Sequence, residues 1–104
     1  MSSVMLIMNW DVKEGKDSDY FEFIVREWAA QTNRLGLTMV GLWLSVYNRE
    51  VDQPRIRAEA ITDDAANMRR ILSSPEWTNI MDRLMEYVDN YTQKVVYTDG
   101  DWKL

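Results

Sequence analysis

The chain contains no cysteine and no histidine. Without cysteine there is no disulfide, no thiolate nucleophile and no zinc–thiolate site, a composition that suits a reducing compartment. Without histidine the commonest general base, the commonest transition-metal ligand and the usual haem ligand are missing together. No Gly-rich phosphate loop, no Gly-x-Ser-x-Gly elbow and no calcium-loop spacing occurs. The apolar runs fall far short of a membrane span, and residues 1–7 lack the basic start and cleavable apolar stretch of a secretory signal, so a cytoplasmic location is expected. A formal charge of −5 and a pI near 4.6 oppose binding to phosphate backbones or anionic lipid; neither nucleic acid nor membrane is an expected partner.

What is present reads as one domain: 104 residues, 46% hydrophobic and 28% charged, with no internal repeat and no low-complexity linker. The stretch 37–50 organises the rest. It predicts one long strand, with Val40, Leu42, Leu44 and Val46 on one face and Met39, Gly41, Trp43, Ser45 and Tyr47 on the other. Before it, residues 4–12 alternate as a strand, placing Leu6, Met8, Trp10 and Val12 against Met5, Ile7, Asn9 and Asp11. Asp17, Ser18 and Asp19 then offer helix N-caps. Phe21, Ile24, Val25, Trp28 and Leu35 follow at helical spacing over about four turns, and Gly36 suits a left-handed stop.

A third strand at 55–61 sets Ile56, Ala58 and Ala60 opposite Arg57 and Glu59. Thr62, Asp63 and Asp64 cap a second helical region, broken at Ser73-Ser74-Pro75-Glu76. Pro75 fits the first turn of a new segment capped by Ser74, because a proline inside a continuous helix costs about 3 kcal/mol. Residues 91–98 form the last strand. The domain is expected to span 1–98, with 99–104 as a C-terminal tail whose Trp102 is available to dock on a neighbour.

This order, βαββαβ, predicts an α+β, ferredoxin-like fold: a four-stranded antiparallel sheet with two helices on one face. Nothing in the chain is left to cover the other face, which carries Met5, Ile7, Met39, Trp43 and Tyr47. Burying such side chains is worth roughly 1.5–3 kcal/mol each, about 10 kcal/mol gross. A second copy of the sheet about a two-fold axis is the simplest cover, so the chain itself is the expected partner, as a homodimer.

The strand at 4–12 running into Lys-Glu-Gly-Lys at 13–16 resembles the opening of the dimeric α/β barrel superfamily. Ser-Ser-Pro-Glu-Trp at 73–77, between two amphipathic helical pieces and followed by Lys-Val-Val-Tyr at 94–97, looks like the Asp-Pro-Glu-Trp break in the second helix of NIPSNAP-like members. The resemblance spans nearly the whole chain in layout, and its motifs are short. It implies a dimeric α/β barrel. That superfamily includes cofactor-independent monooxygenases of antibiotic biosynthesis, haem-degrading enzymes, muconolactone isomerase-like enzymes and stress-responsive proteins. The haem branches rely on a histidine that this chain lacks. Fold alone does not choose among them.

The inward parity gathers Asn9, Asp11, Trp43, Ser45, Tyr47, Arg57, Glu59 and Lys94. A satisfied ionic network at a dimer interface explains the charged members without a substrate. In the sharper reading Asn9, Asp11, Trp43, Tyr47, Arg57 and Glu59 are candidate ligand-binding residues, with the two aromatics holding a flat apolar molecule and Arg57 or Asn9 orienting its polar group. Trp10, Trp28 and Trp77 belong to the core by their spacing. Acids in the turn at 11–19 are better explained by capping than by a metal; no metal or cofactor is expected, and no catalytic set is visible. Three readings stay open: binding of a small apolar or aromatic molecule, cofactor-independent monooxygenation of a phenolic or quinol substrate held by Asn9, Trp43, Tyr47 and Arg57, and a purely structural dimer. RNA recognition by the same topology is opposed by the charge and by the third strand, which lacks stacking aromatics. A regulatory domain of the ACT type shares the layout, but no attached enzyme is present for it to regulate.

Overall fold

The computed structural model describes residues 3–45 and 55–98, with the backbone alone at 43–45, 55 and 98. The element order is β1 (Ser3–Val12), α1 (Asp17–Phe23), a π-helical segment (Ile24–Trp28), α2 (Ala29–Leu35), β2 (Thr38–Ser45), β3 (Arg55–Thr62), α3 (Ala65–Leu72), α4 (Pro75–Leu84) and β4 (Val88–Thr98). The first three helical pieces run on as one rod, and the strands form an antiparallel sheet in the order β2-β3-β1-β4. The ferredoxin-like layout expected from the sequence is therefore the fold. Residues 46–54 and 99–104, with Tyr47 and Trp102 among them, lie outside the described residues.

One parity of β1 supplies the floor of the core. Val4, Leu6, Met8, Trp10 and Val12 are all buried, next to Ile56, Ala58 and Ala60 of β3. The small alanines let the helices approach the sheet, whose roof is Tyr20, Phe23, Ile24 and Trp28 from the first rod and Met68, Ile71, Trp77, Ile80 and Leu84 from the second. The helix ends follow the sequence signals. Asp64 accepts from the Asn67 amide at 2.7 Å, Ser74 from the Trp77 amide at 3.2 Å, and Gly36 closes α2 at φ 105°. At α1 the cap position is Lys16, without a side-chain bond. Asp17 and Asp19 sit in the first turn, where their charge favours the helix dipole.

The first rod departs from the expected stripe. Phe21 and Val25 are 55% and 73% exposed, while Tyr20, Phe23 and Thr32 are buried beside Ile24 and Trp28. Tyr20, Phe23 and Ile24 set a stripe that turns Phe21 and Val25 outward, and a π turn follows, in which the Ala29 amide reaches back five residues to the Ile24 carbonyl. Residues 20, 24, 28 and 32 recur every fourth position; in a plain α-helix such a row drifts off the core, and the wider turn keeps it there. Thr32 is fully buried because its hydroxyl donates back to the Trp28 carbonyl at 2.8 Å.

Two bulges set the parity of the edge strands. In β2 the register jumps from Met39 opposite Ala60 to Gly41 opposite Glu59, leaving Val40 as the extra residue. Met39 consequently lies on the helix side and packs against the core, not on the open face where strict alternation puts it. In β4, Asn90 and Tyr91 together oppose Trp10, and Asn90 takes the left-handed conformation, φ 56°, that asparagine tolerates better than most residues.

Leu6→Ala should cost about 2–5 kcal/mol in urea unfolding, whereas Phe21→Ala should stay within about 0.5 kcal/mol of the parent. Equal losses would mean that Phe21 is packed and not exposed. Asn90→Ala should destabilise by about 2 kcal/mol, since it loses both the left-handed tolerance and a bond to Asp11. Asn90→Gly, which keeps the conformation, should cost roughly half as much.

Candidate functional site on the open sheet face

The parity of β1 that avoids the helices lines up with the other strands in four rows across the sheet. Thr38, Ile61, Met5 and Val96 form the first, and Gly41, Glu59, Ile7 and Lys94 the second. Trp43, Arg57, Asn9 and Thr92 form the third; Ser45, Arg55, Asp11 and Asp89 the fourth. The face therefore grades from apolar at one end to charged at the other. Its alternation follows from the pleat, because residues directly opposite on antiparallel strands point the same way.

The structure brings Asn9, Asp11, Arg57 and Glu59 together and sets the backbone of Trp43 in the same row as Arg57 and Asn9. Tyr47 lies outside the described residues. Arg57 Nε donates to Glu59 Oε2 at 2.8 Å, with side-chain exposures of 50% and 16%. A pair this exposed contributes at most about 1 kcal/mol to stability. Its geometry matters more than its strength: Glu59 holds the guanidinium by Nε and leaves the terminal fork directed to other acceptors. Asn9 is half-buried and its carboxamide makes no hydrogen bond among the described residues. Asp11 is buried, and Asn90 Nδ2 donates to its Oδ2 at 2.9 Å. Neither carboxylate is thus poised as a free base. The row offers donors to a bound oxygen beside Ile7, with the apolar row of Met5, Ile61 and Val96 one row further along the strands.

Asn90 was not legible as a neighbour of this face, whereas Thr92 shares the parity of Lys94. The signal that places Asn90 is the bulge, which shifts β4 by one residue relative to β1. Among the described residues no cluster of three or more carboxylates could share a metal ion, and no helix is long and apolar enough to cross a membrane.

The opposite side of β1 is closed. Trp10 stacks on Tyr91 with centroids 5.9 Å apart and stands edge-on to Trp28 at 5.8 Å; its Nε1 donates to the Tyr20 hydroxyl at 2.9 Å. Trp77 tilts against Trp28 at 6.1 Å, and the buried Trp28 Nε1 has no partner among the described residues. Burial raises the Tyr20 phenol to about 12 against a small opposing effect of the Trp10 N–H, and burial also raises Tyr91. Shallow concavities lie on the helix side. One of about 430 Å³ is bounded by Asp19, Glu22, Phe23, Arg26, Glu27 and Tyr87, and one of about 410 Å³ by Asp63, Asp64, Ala66, Asn67 and Arg70. Their charged walls are already committed: Arg83 forks onto Glu27, Arg26 meets Glu22 at 3.4 Å, and Arg70 binds Asn67. The open face is not one of these concavities, because a single sheet cannot enclose a volume.

The sequence matches no protein-family model and no curated protein sequence. Solved structures match in fold. A NIPSNAP domain protein from Burkholderia xenovorans aligns with a TM-score of 0.68 at 13% identity, over 96% of this chain and 98% of that one. SnoaB, a cofactor-independent oxygenase from Streptomyces nogalater, aligns at 0.67 and 18% identity over 98% of both chains. An ethyl tert-butyl ether degradation (EthD) family protein from Bacillus halodurans aligns at 0.70 and 18%, over 90% of this chain and 96% of that one. At these identities the matches show a shared fold.

Because the Tyr20 phenol is raised above its ordinary value of 10.0, the unfolded chain holds fewer protons than the folded one at high pH. Stability from this group is therefore complete below about pH 10 and declines as pH rises toward about 12. Denaturant midpoints measured across this alkaline window should fall, and Trp10→Phe, which removes the stabilising N–H donor, should leave the folded phenol harder still to ionise. A flat midpoint through the window would place the phenol in solvent.

Proposed function

We propose that the chain forms a homodimer in which two open sheet faces enclose a small, largely apolar or aromatic molecule. The observation that carries this reading is the third row of the open face. Arg57 keeps its terminal fork available and Asn9 is half-buried without a partner among the described residues, next to the row of Ile7, beyond which lies the apolar row of Met5, Ile61 and Val96. A site of this kind grips the body of a ligand by contact and fixes its orientation through one or two donors. Trp43 and Tyr47 are the aromatic walls of that reading, and Asp11 and Glu59 its ordering carboxylates.

A second reading is favoured by the likeness to a cofactor-independent oxygenase. The enclosed molecule is then a phenol or quinol that reacts directly with dioxygen, with Asn9, Trp43, Tyr47 and Arg57 binding and polarising it. The absence of histidine suits a site in which the substrate's own electron-rich ring supplies the reactivity.

Light scattering on the purified protein should give the mass of a dimer, and native mass spectrometry a co-purified small molecule. With 1,4-naphthohydroquinone as probe, tryptophan fluorescence should report binding. Arg57→Ala should weaken that binding by roughly ten- to a hundredfold, as expected for a hydrogen bond to a charged group, while unfolding free energy changes by less than about 1 kcal/mol. Oxygen consumption with the same probe separates the two readings; unaltered binding by the variant removes Arg57 from both.

A further inference from the structure

Four rings join the core in one unbroken series. Trp77 tilts against Trp28 at 6.1 Å, Trp28 stands edge-on to Trp10 at 5.8 Å, and Trp10 stands edge-on to Tyr20 at 6.5 Å while its Nε1 donates to the phenolic oxygen at 2.9 Å. Centroids within about 7 Å bring rings into direct contact, and electron exchange between touching rings needs no motion of the chain. Trp77, 6% exposed, is the member nearest solvent; the other three are buried to 1% or less. Two features set this series apart from an ordinary aromatic core. The buried Trp28 Nε1 has no hydrogen-bond partner among the described residues, and the Trp10 N–H is committed to a phenol.

We propose that Trp77, Trp28 and Trp10 form a one-electron relay ending on Tyr20, through which the protein reduces peroxyl radicals and keeps the oxidation as a tyrosine phenoxyl. The oxidant takes one electron from the outermost indole and one proton from water, and becomes a hydroperoxide. Electrons then pass outward from indole to indole. Tyr20 supplies the last one, its O–H bond breaks, and its proton returns to water. The net change converts one peroxyl radical and one phenol into one hydroperoxide and one phenoxyl, with the three indoles restored.

Burial sets the direction. An indole that has lost an electron is a cation, which is costly in an apolar core, and Trp28 has no acceptor to take its N–H proton. Tyr20 differs, because phenol and phenoxyl are both uncharged; the burial that raises its pKa by penalising the phenolate leaves that couple alone. The Trp10 N–H goes on donating to the phenoxyl oxygen. Tyr91, stacked on Trp10 at 5.9 Å, is the competing end. Its hydroxyl donates to Gln93 Oε1 at 2.8 Å, so losing that proton would set two acceptor oxygens against each other. The relay therefore stops at Tyr20.

The chain holds five tryptophans, so the test uses a Trp43→Phe, Trp102→Phe background with indoles only at 10, 28 and 77. Pulse radiolysis with the azide radical oxidises these indoles, and absorbance follows indole radical and phenoxyl separately. The expected result is first-order conversion of one into the other at a rate independent of protein concentration and slower in D2O, because a proton leaves. Tyr20→Phe and Trp10→Phe should each lose the phenoxyl and prolong the indole radical, whereas Tyr91→Phe should keep the conversion. A rate proportional to protein concentration, conversion that survives Tyr20→Phe or Trp10→Phe, or loss in Tyr91→Phe alone overturns the relay. Where Tyr20→Phe does not fold by circular dichroism, high-field EPR of the oxidised background protein decides. A phenoxyl oxygen that accepts a hydrogen bond from an exchangeable proton supports Tyr20, and one that accepts none overturns it.

Discussion

The alternation of β1 is the constraint on which the structure rests. Its five helix-side residues form the floor of the core, and Trp10 among them is the hub, touching Tyr91 on β4, Tyr20 on α1 and Trp28 at the end of the π segment. Three elements distant in sequence are thereby fixed to one ring. A tryptophan suits this place because its large apolar area fills the gap between sheet and helices while its N–H finds the Tyr20 oxygen. Because the period of a strand is two, the same pleat that buries Trp10 delivers Asn9 and Asp11 to the other side. The core and the candidate site are one decision of register.

The two bulges are where that decision is adjusted. At Val40 the extra residue lets Met39 join the core and still returns Gly41 and Trp43 to the open face beside Glu59 and Arg57. At Asn90 it frees the backbone of β4 to turn Tyr91 under Trp10 while the asparagine amide reaches Asp11. Each bulge therefore adds a buried contact on one face and orders a polar group on the other. Ile7 is already buried within the protomer, and Met39 is withdrawn from the open face. The apolar area left on the open face is correspondingly smaller than strict alternation implies.

Most of the layout was legible because it follows from period and punctuation. The alternation of β1 and β3, the Ser74–Pro75 restart and the stop at Gly36 each have a local physical cause written in a few residues. What was not legible depends on where an extra residue is absorbed. The stripe through Phe21 and Val25 lies out of phase with the buried Tyr20, Phe23 and Ile24, and nothing in Ile-Val-Arg-Glu-Trp announces the π turn that keeps Trp28 and Thr32 on the buried side. Met39 was misplaced for the same reason: Val40 is as good a strand residue as its neighbours, and only pairing with β3 shows that it is extra. Of the candidate residues, Asn9, Asp11, Arg57 and Glu59 share the face that parity assigned to them, while Trp43 is placed by its backbone row alone.

The chemistry open to that face is limited by how its charges are spent. Glu59 is engaged with Arg57, and Asp11 is buried with Asn90 as a donor to it, so either of these two carboxylates would have to break a bond before abstracting a proton, and the exposed Asp89 lies at the far end of the face, one row beyond Arg57 and Asn9. Donors, by contrast, are in surplus. A surface rich in donors and poor in free bases favours an occupant that already presents an oxygen acceptor and needs no deprotonation by the protein. Binding and substrate-driven oxidation share that requirement. What separates them lies in the bound molecule's own ring, because the same two donors that hold an inert aromatic acceptor would also stabilise charge developing on a reactive one.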